Sequence, residues 1–389
     1  MSYVRHLLLA TLEDTSDPHA WSGIPYSLRR ALESRLDRVS VIDRLPVKRT
    51  IHHGALRLAL AGSPPRWPLW ATDPALKQFA AYLQRAVDTN RPDAILSISS
   101  QTLVHYEPSV PTGLFCDAPW LAWKKAYQQY EPMPLNGPRF ARKEAIAAAK
   151  CAAIIFSSQW AVDEGKRMYG IGDGRFHVAP LGATWVPEIS PEQLERRVLA
   201  RDKNTLKLLF LGRDWERKGG PLALEIVRFL VASGVPATLD IVGCNPKVQS
   251  ADYAFVNVHG PLYRDFQEQA KTMRRLFFDS HFLAVPTDAE CFGIVFAEAS
   301  AHALPVISKR VCAVPSIVND GETGILEQPG ADVACYASRI LDVFRNRSRY
   351  VSMAMAARKR YEQNFTWDIC AQRVILALED SLRSRGGVP

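Results

Sequence analysis

The sequence predicts an α/β protein of two units, each a doubly wound parallel sheet covered on both faces by helices. Three observations predict it. Short continuous apolar runs recur along the chain, and each is followed by turn residues and then by a helical pattern, as expected for parallel strands buried on both faces. The 389 residues are too many for one comfortable core. Near the middle, "APLGATWVPEISPEQLERRVLARDKN" interrupts the alternation with proline and charge, which marks a boundary.

In chain order, "HLLLATL", "VSVID", "AILSIS", "TGLFCD" and "AAIIFSS" read as strands of the first half, with "YSLRRALESRL", "ALKQFAAYLQRAV" and "RFARKEAIAAAK" as helices. Val4 to Thr11 is read as the first strand and not as a leader, because its apolar stretch is short and closes in acidic residues. A strand-like "FHVAPL" leads into the interruption. The second half supplies strands "LKLLFLG", "ATLDIVG", "AFVNVHG", "HFLAVP" and "LPVISK", and helices "GPLALEIVRFLVAS", "FQEQAKTMRRLFFDS", "FAEASAHA" and "VACYASRILDVFRNR". Two such sheets would leave a cleft at the carboxyl ends of their strands, where ligands bind.

Apolar residues at 47% and charged residues at 23% describe a soluble globular chain, and no apolar run approaches the roughly 20 residues of a membrane span. The seven cysteines are scattered and form no CxxC pair, which fits reduced cytosolic thiols. His52 and His53 lack further ligands at a recognisable spacing, so no metal site is expected. Net charge is +8, with 22 Lys+Arg against 16 Asp+Glu in residues 1–183 and 26 against 24 in the rest. The excess in the first half could attract a nucleic acid, an anionic membrane or an anionic substrate, or be ordinary solvated surface.

Two stretches carry chemistry. In "LKLLFLGRDWERKGGPLALEIVRFL" a strand ends at Gly212 and a helix starts near Pro221. Arg213 and Lys218 flank the turn, and a guanidinium and an ammonium at a strand's carboxyl end suit a diphosphate. In "HFLAVPTDAECFGIVFAEASAHALPVISK" a strand, a loop and a helix follow in order. The helix beginning near Phe292 or Gly293 would offer free N–H groups to an anion. Glu290 in the loop and Glu298 inside the helix can accept hydrogen bonds from sugar hydroxyls. The plainer reading makes Glu290 a dipole partner and Glu298 a surface residue, although the apolar "IVFAEASA" speaks against the latter.

"GRDWERKGG", "VPTDAECFGIVFAEASAHALPVIS" and "VPSIVNDGETGIL", in this order and spacing, resemble the donor-binding half of glycosyltransferase family 4, enzymes of the GT-B fold. "WSGIPYSLRRALE", "IIFSSQWAVDEGKRMYGI" with "FHVAPLGATW", and "NFTWDICAQRVILALEDSL" resemble its first loop and helix, its last first-domain elements and its terminal helix. The resemblance implies a Rossmann-like acceptor domain over 1–185, completed by a helix over 367–389 that crosses back, and a Rossmann-like donor domain over 186–366. It implies retaining transfer of a sugar from a nucleotide donor with no cofactor and no metal; the sequence has no DxD triplet. Arg213 and Lys218 would neutralise the leaving diphosphate, with Gly212 at the strand end. Glu290 would contact donor-sugar hydroxyls, with Cys291 and the backbone of Phe292, Gly293 and Ile294 nearby. Glu298 would contact the ribose, and Gly23 would let the first loop approach the phosphates.

The chain departs from the family pattern in places. Where many relatives carry a histidine, "GLFCDAPW" offers Cys116 and Asp117. Asp117 is the candidate polar group toward the sugars, or else a helix N-cap. Ser316 replaces an expected acid, and "LGA" replaces an Asn-Gly pair. Trp21, Ser22, Tyr26 and Trp120 are the acceptor-side candidates. Trp120, Trp123 and Tyr127 share a helix face and serve equally as core packing. The Arg-rich, apolar-interleaved stretch from Ser27 to Trp70 could rest on an anionic membrane and present a lipid-linked glycan. The expected protein is cytoplasmic, at the inner membrane face if that stretch binds lipid. The competing classes are a GT-B nucleotide-sugar epimerase, a nucleotide-sugar-binding protein without turnover, and a nucleic-acid module. The last would show steep salt dependence, and no aromatic-plus-basic signature supports it.

Overall fold

A computed structural model describes residues 3–45, 72–130 and 137–386. His52, His53 and the part of the basic stretch between 46 and 71 lie outside the described residues. The chain divides into two compact units, one of residues 1–181 with 367–389 and one of residues 182–366.

Unit 1 holds β1 (His6–Ala10), β2 (Arg38–Ile42), β3 (Ala94–Ser97), β4 (Thr112–Cys116), β5 (Ala153–Phe156) and β6 (Phe176–Val178). They form one parallel sheet in the order β2-β1-β3-β4-β5-β6. Its helices are α1 (Ile24–Glu33), α2 (Asp73–Asn90), α3 (Trp120–Ala126), α4 (Gly137–Lys150) and α5 (Gln159–Tyr169). The apolar runs are central strands: Leu7, Leu8 and Leu9 are fully buried, as are Ile154, Ile155 and Phe156, each removing about 2 kcal/mol of apolar surface cost from water.

Unit 2 begins with α6 (Pro191–Ala200) and continues as β7 (Leu206–Leu211), α7 (Gly220–Ala232), β8 (Ala237–Val242), β9 (Val256–Gly260), α8 (Gln267–Asp279), β10 (Phe282–Ala284), α9 (Ile294–Ala301), β11 (Val306–Lys309), α10 (Val314–Ile317), β12 (Gly324–Glu327), α11 (Val333–Arg345) and α12 (Arg347–Asn364). Its parallel sheet runs β12-β11-β10-β7-β8-β9. The strand order therefore reverses between β7 and β10, and the crevice at the carboxyl ends of those two strands is the topological switch point where such sheets take ligands. The last helix, α13 (Trp367–Gly386), belongs to unit 1. There Asp368 pairs with Arg35 just beyond α1 at 2.5 Å, and Glu379 accepts the Tyr3 N–H at 2.8 Å.

The structure adds to the reading of the sequence at three places. The boundary falls at 181/182, four residues before the expected one, because Thr184 and Trp185 hydrogen-bond to Glu298 and Ala183 to Phe365, all within unit 2. The interrupting stretch contains α6, started by a capping box in which Ser190 and Gln193 satisfy each other's backbone. "DGETGIL" is a turn that runs on into β12, and α12 is a full helix. Its buried residues Tyr350, Met353, Ala354, Ala357 and Tyr361 repeat at the helical period.

Candidate functional site

At the switch point of unit 2 two loops are stitched together. Gly219 sits in the left-handed region at φ 75°, and a Cβ there would fall 2.0 Å from the Pro286 carbonyl oxygen. Only glycine permits this approach. The Arg217 carbonyl accepts the Asp288 N–H at 2.9 Å and the Thr287 hydroxyl at 3.1 Å. Its guanidinium donates to the Ala289 carbonyl at 2.9 Å and to Asp214 at 3.1 Å. The loop after β7 and the loop after β10 are thus tied to each other by backbone and side-chain hydrogen bonds.

This stitching delivers three charges to one place. Lys218 Nζ contacts the Glu290 carboxylate directly, and Arg217 lies 3.9 Å from the same oxygen. The Lys218 and Arg217 side chains are 13% exposed and Glu290 9%. Screening by water is correspondingly weak, and the stronger attraction offsets the cost of taking both charges out of water. Two residues earlier Asp288 pairs with Lys309 at the end of β11.

Gly293 starts α9 at φ 83°, where a Cβ would meet the Phe296 ring at 2.6 Å and Glu290 Cγ at 2.8 Å. The glycine lets the helix begin directly against Glu290. No acidic side chain of α9 itself occupies its first turn, so the positive end of its dipole is not neutralised from within the helix. Seven of its eight residues are buried. The far end is pinned by Arg201, a buried guanidinium that donates to the carbonyls of Ala303 (2.8 Å), His302 (3.1 Å) and Phe278 (3.0 Å) and to the Tyr350 hydroxyl (2.7 Å).

Glu298 lies inside α9 and is buried, so it is no surface residue. One of its oxygens accepts the Thr184 hydroxyl and the Trp185 N–H, the latter at 3.2 Å. Burial raises its pKa, while those two donors pull it back. Arg264 continues the contact, donating to the Thr184 carbonyl at 3.3 Å and lying 5.3 Å over the Trp185 ring.

Other expected donor residues are nearby with different exposures. Gly212 ends β7 against Lys218, whose Cγ would be 3.0 Å from a Cβ on it. Arg213 is exposed, whereas Arg217 is the guanidinium brought to Glu290. The Cys291 and Phe292 side chains are buried, with Phe292 packed on Phe365, and Ile294 is half-buried. The Cys291 and Phe292 side chains are thus withdrawn from solvent, while Ile294 keeps part of its side chain exposed. Ser316 offers its carbonyl to Arg360 at 2.7 Å. Sequence reasoning passed over Arg217 and Thr184. The signal for Arg217 was its place beside Lys218 in "ERKGG"; Thr184 carried none.

In unit 1 the first loop holds Trp21, Ser22 and Gly23 in succession at φ 43°, 59° and 78°, a left-handed run that costs roughly 1–3 kcal/mol for each non-glycine. Ser22 is exposed and Trp21 half-buried, while the Tyr26 hydroxyl accepts from Arg30 at 2.8 Å. Asp117 is half-buried at the end of β4, and its carbonyl accepts the Ser157 hydroxyl at 2.8 Å. It does not cap α3. That place is taken by Glu144 from α4, buried, whose carboxylate accepts the Trp120 N–H at 2.9 Å. Burial pushes Glu144 up to about 7 and the neighbouring Cys116 thiol well above its ordinary value. Trp120 packs on Phe140 at 4.7 Å between ring centres, and Tyr127 is buried, so much of this aromatic face is core.

Residues 205–346, the bulk of unit 2, match the family model described as glycosyl transferases group 1. A D-inositol 3-phosphate glycosyltransferase of Xylanimonas cellulosilytica is 26% identical over 62% of this chain and 59% of its own length. A phosphatidyl-myo-inositol mannosyltransferase of Mycobacterium leprae is 29% identical over 44% of this chain and 46% of its own. The alignments thus span less than two thirds of either relative. Among solved structures, a sucrose-phosphate synthase from Thermosynechococcus elongatus superposes with a TM-score of 0.68 at 16% identity, covering 98% of this chain and 100% of that one. Anabaena HepE in complex with UDP superposes at 0.66 and 15% identity, over 96% and 100%.

Proposed function

We propose that this chain, which has the GT-B fold and carries a glycosyl transferases group 1 domain in its second unit, is a glycosyltransferase. It moves a hexose from a UDP- or GDP-linked donor to a sugar or lipid-linked glycan, with retention and without a metal ion. The observation that carries the reading is the meeting of Lys218, Arg217 and Glu290 at the switch point of unit 2, beside the start of α9.

Each group has a task in such a transfer. Lys218 and Arg213 take up the negative charge that grows on the departing diphosphate, assisted by the first-turn N–H groups of α9. Glu290 accepts hydrogen bonds from the donor-sugar hydroxyls and orients the ring. Glu298 contacts the ribose, and Gly23 lets the first loop of unit 1 approach the phosphates. The departing phosphate takes the acceptor's proton on the same face, so no protein nucleophile is needed. Asp117, Trp21, Ser22, Tyr26 and Trp120 serve the acceptor.

The activities for which the two relatives are named support transfer over epimerisation or binding alone, and the UDP held by HepE supports a uridine donor. The positive excess of residues 1–183 suits an anionic or lipid-linked acceptor reached from the cytoplasmic face. Among the described residues no helix is long and apolar enough to cross a membrane.

The test is thermal unfolding with UDP, GDP, ADP or dTDP and their common sugar conjugates, with and without Mg²⁺. A ligand that binds only the folded state raises the melting temperature. One diphosphate should do so equally in EDTA and in Mg²⁺. If no nucleotide shifts the melt and none of the sugar conjugates is consumed with any glycan acceptor, the reading falls.

A further inference from the structure

We infer that Thr184 is a positioning residue that fixes the Glu298 carboxylate for the ribose hydroxyls, so that unit 2 selects ribonucleoside over deoxyribonucleoside diphosphates. The inference rests on the donor reading above, in which Glu298 contacts the ribose.

A glutamate does not orient itself. Its terminal torsion is broad and not confined to staggered wells, and α9 fixes only where the Glu298 side chain begins. A carboxylate that must meet sugar hydroxyls has to be held from elsewhere. In unit 2 that hold comes from residues 184 and 185, at the start of the unit. The Thr184 hydroxyl and the Trp185 N–H both donate to Glu298 Oε1, the second at 3.2 Å. Two donors from consecutive residues at one oxygen restrict the carboxylate's swing and its twist. Threonine suits the task, because its branched Cβ stiffens χ1 and presents the hydroxyl in a set direction.

The hold is itself braced. Arg264, in the loop after β9, donates to the Thr184 carbonyl at 3.3 Å and lies 5.3 Å over the Trp185 ring. Burial of Glu298, 4% exposed, works against its charged form, whereas Thr184, Trp185 and the Arg264 charge favour it. An ionised carboxylate can accept about four hydrogen bonds, so Glu298 can keep both of these donors and still accept from a ribose. A site built to bind a hydroxyl rejects the analogue that lacks it. That rejection is only as sharp as the acceptor is fixed, which makes Thr184 a determinant of it.

Calorimetric titration with UDP and GDP, and with the 2′-deoxy and 3′-deoxy form of each, reads the ratio of ribo to deoxy affinity. Wild type should bind the ribonucleotide roughly tenfold or more tightly than a deoxy form, as expected for a hydrogen bond to a charged acceptor. Thr184→Val keeps the shape and the stiff χ1 and removes the donor. It should lose roughly fivefold in affinity for the ribonucleotide and little for the deoxy forms, so the ratio shrinks. Thr184→Ser should restore the ratio. In a Glu298→Ala background the ratio should fall close to one, and Thr184→Val should change it no further. Thermal melting verifies that each variant is folded, and Thr184→Ala serves if Thr184→Val is not.

An unchanged ratio in Thr184→Val overturns the inference, including the case in which every affinity falls by the same factor, because Thr184 would then only support the fold. Equal binding of ribo and deoxy forms by wild type overturns it too. In both outcomes a diphosphate still binds and the donor reading stands. If wild type binds no nucleoside diphosphate at all, the donor reading itself fails and this inference with it.

Discussion

The two units are built on the same six-stranded parallel architecture, yet they bury their carboxylates in opposite ways. In unit 2, Glu290 is mostly buried between Lys218 and Arg217. In unit 1, Glu144 is buried as deeply, but what it accepts is the Trp120 backbone N–H, and burial pushes it up to about 7. A carboxylate set against two cations is placed where an incoming anion can rearrange charge. A carboxylate that burial drives toward neutrality is prepared to hold a helix end in place. The contrast separates a site made ready for chemistry from one made for shape, and it can be attacked at each end.

The largest effect should come from Glu290→Gln. The amide keeps the size and loses the charge proposed above to orient a donor sugar. Turnover should fall roughly a hundredfold or more, while nucleoside diphosphate affinity, read by thermal shift, stays largely intact. Lys218→Ala should come next. It removes the ammonium from both the free and the loaded site, so diphosphate affinity and turnover should fall together, each by roughly tenfold. Full activity in both variants would remove unit 2's claim to the chemistry.

Unit 2 was far more legible in the sequence than unit 1, and for a physical reason. Its site is made by backbone: Gly219 against Pro286, and Gly293 against Glu290. Such contacts tolerate one residue type, so the glycines and charges stand in a readable order. Unit 1's first loop, by contrast, bends through Trp21 and Ser22 at positive φ, which no local preference announces. Glu144 reaches α3 from another helix, and nothing near residue 120 reports it. Within unit 2 the same limit appears on a smaller scale. Thr184 and Trp185 were read as linker because their hold on Glu298 spans more than a hundred residues of sequence, and tertiary pairing of that kind leaves no local pattern.

The contrast extends to pH. His281 and His302 in unit 2 are buried, and burial lowers both to about 4. His281 accepts the Lys207 N–H at one nitrogen and meets the Asp202 carbonyl at the other, an arrangement that suits the neutral ring. In the unfolded chain both rings titrate near 6.5. Between these values the unfolded state binds protons that the folded state refuses. The stability from each ring is therefore complete above about pH 6.5 and drains as pH falls toward 4, by up to about 3 kcal/mol per ring. Urea midpoints at pH 7.5, 5.5 and 4.5 should decline in that order. His281→Asn, which still offers an acceptor, should flatten the decline in part, and an unchanged slope would mean that the His281 ring contributes nothing to it.

Glu144 should run the other way, and more weakly. Its carboxyl titrates near 7 in the fold and near 4.5 when unfolded. Between those values the folded state holds a proton that the unfolded state has lost, so this group's contribution is complete below about pH 4.5 and is lost as pH rises to about 7, staying lost above. Glu144→Gln keeps an oxygen for the Trp120 N–H and carries no charge at any pH. It should melt like wild type at pH 4.5 and higher than wild type at pH 8, by an amount worth about 1–3 kcal/mol. Glu290→Gln offers the opposite case, because it strips a partner from two cations and should gain nothing at pH 8. If Glu144→Gln also gained nothing there, unit 1's carboxylate would have to be matched by a charge as Glu290 is, and the division between a site of chemistry and a site of shape would collapse.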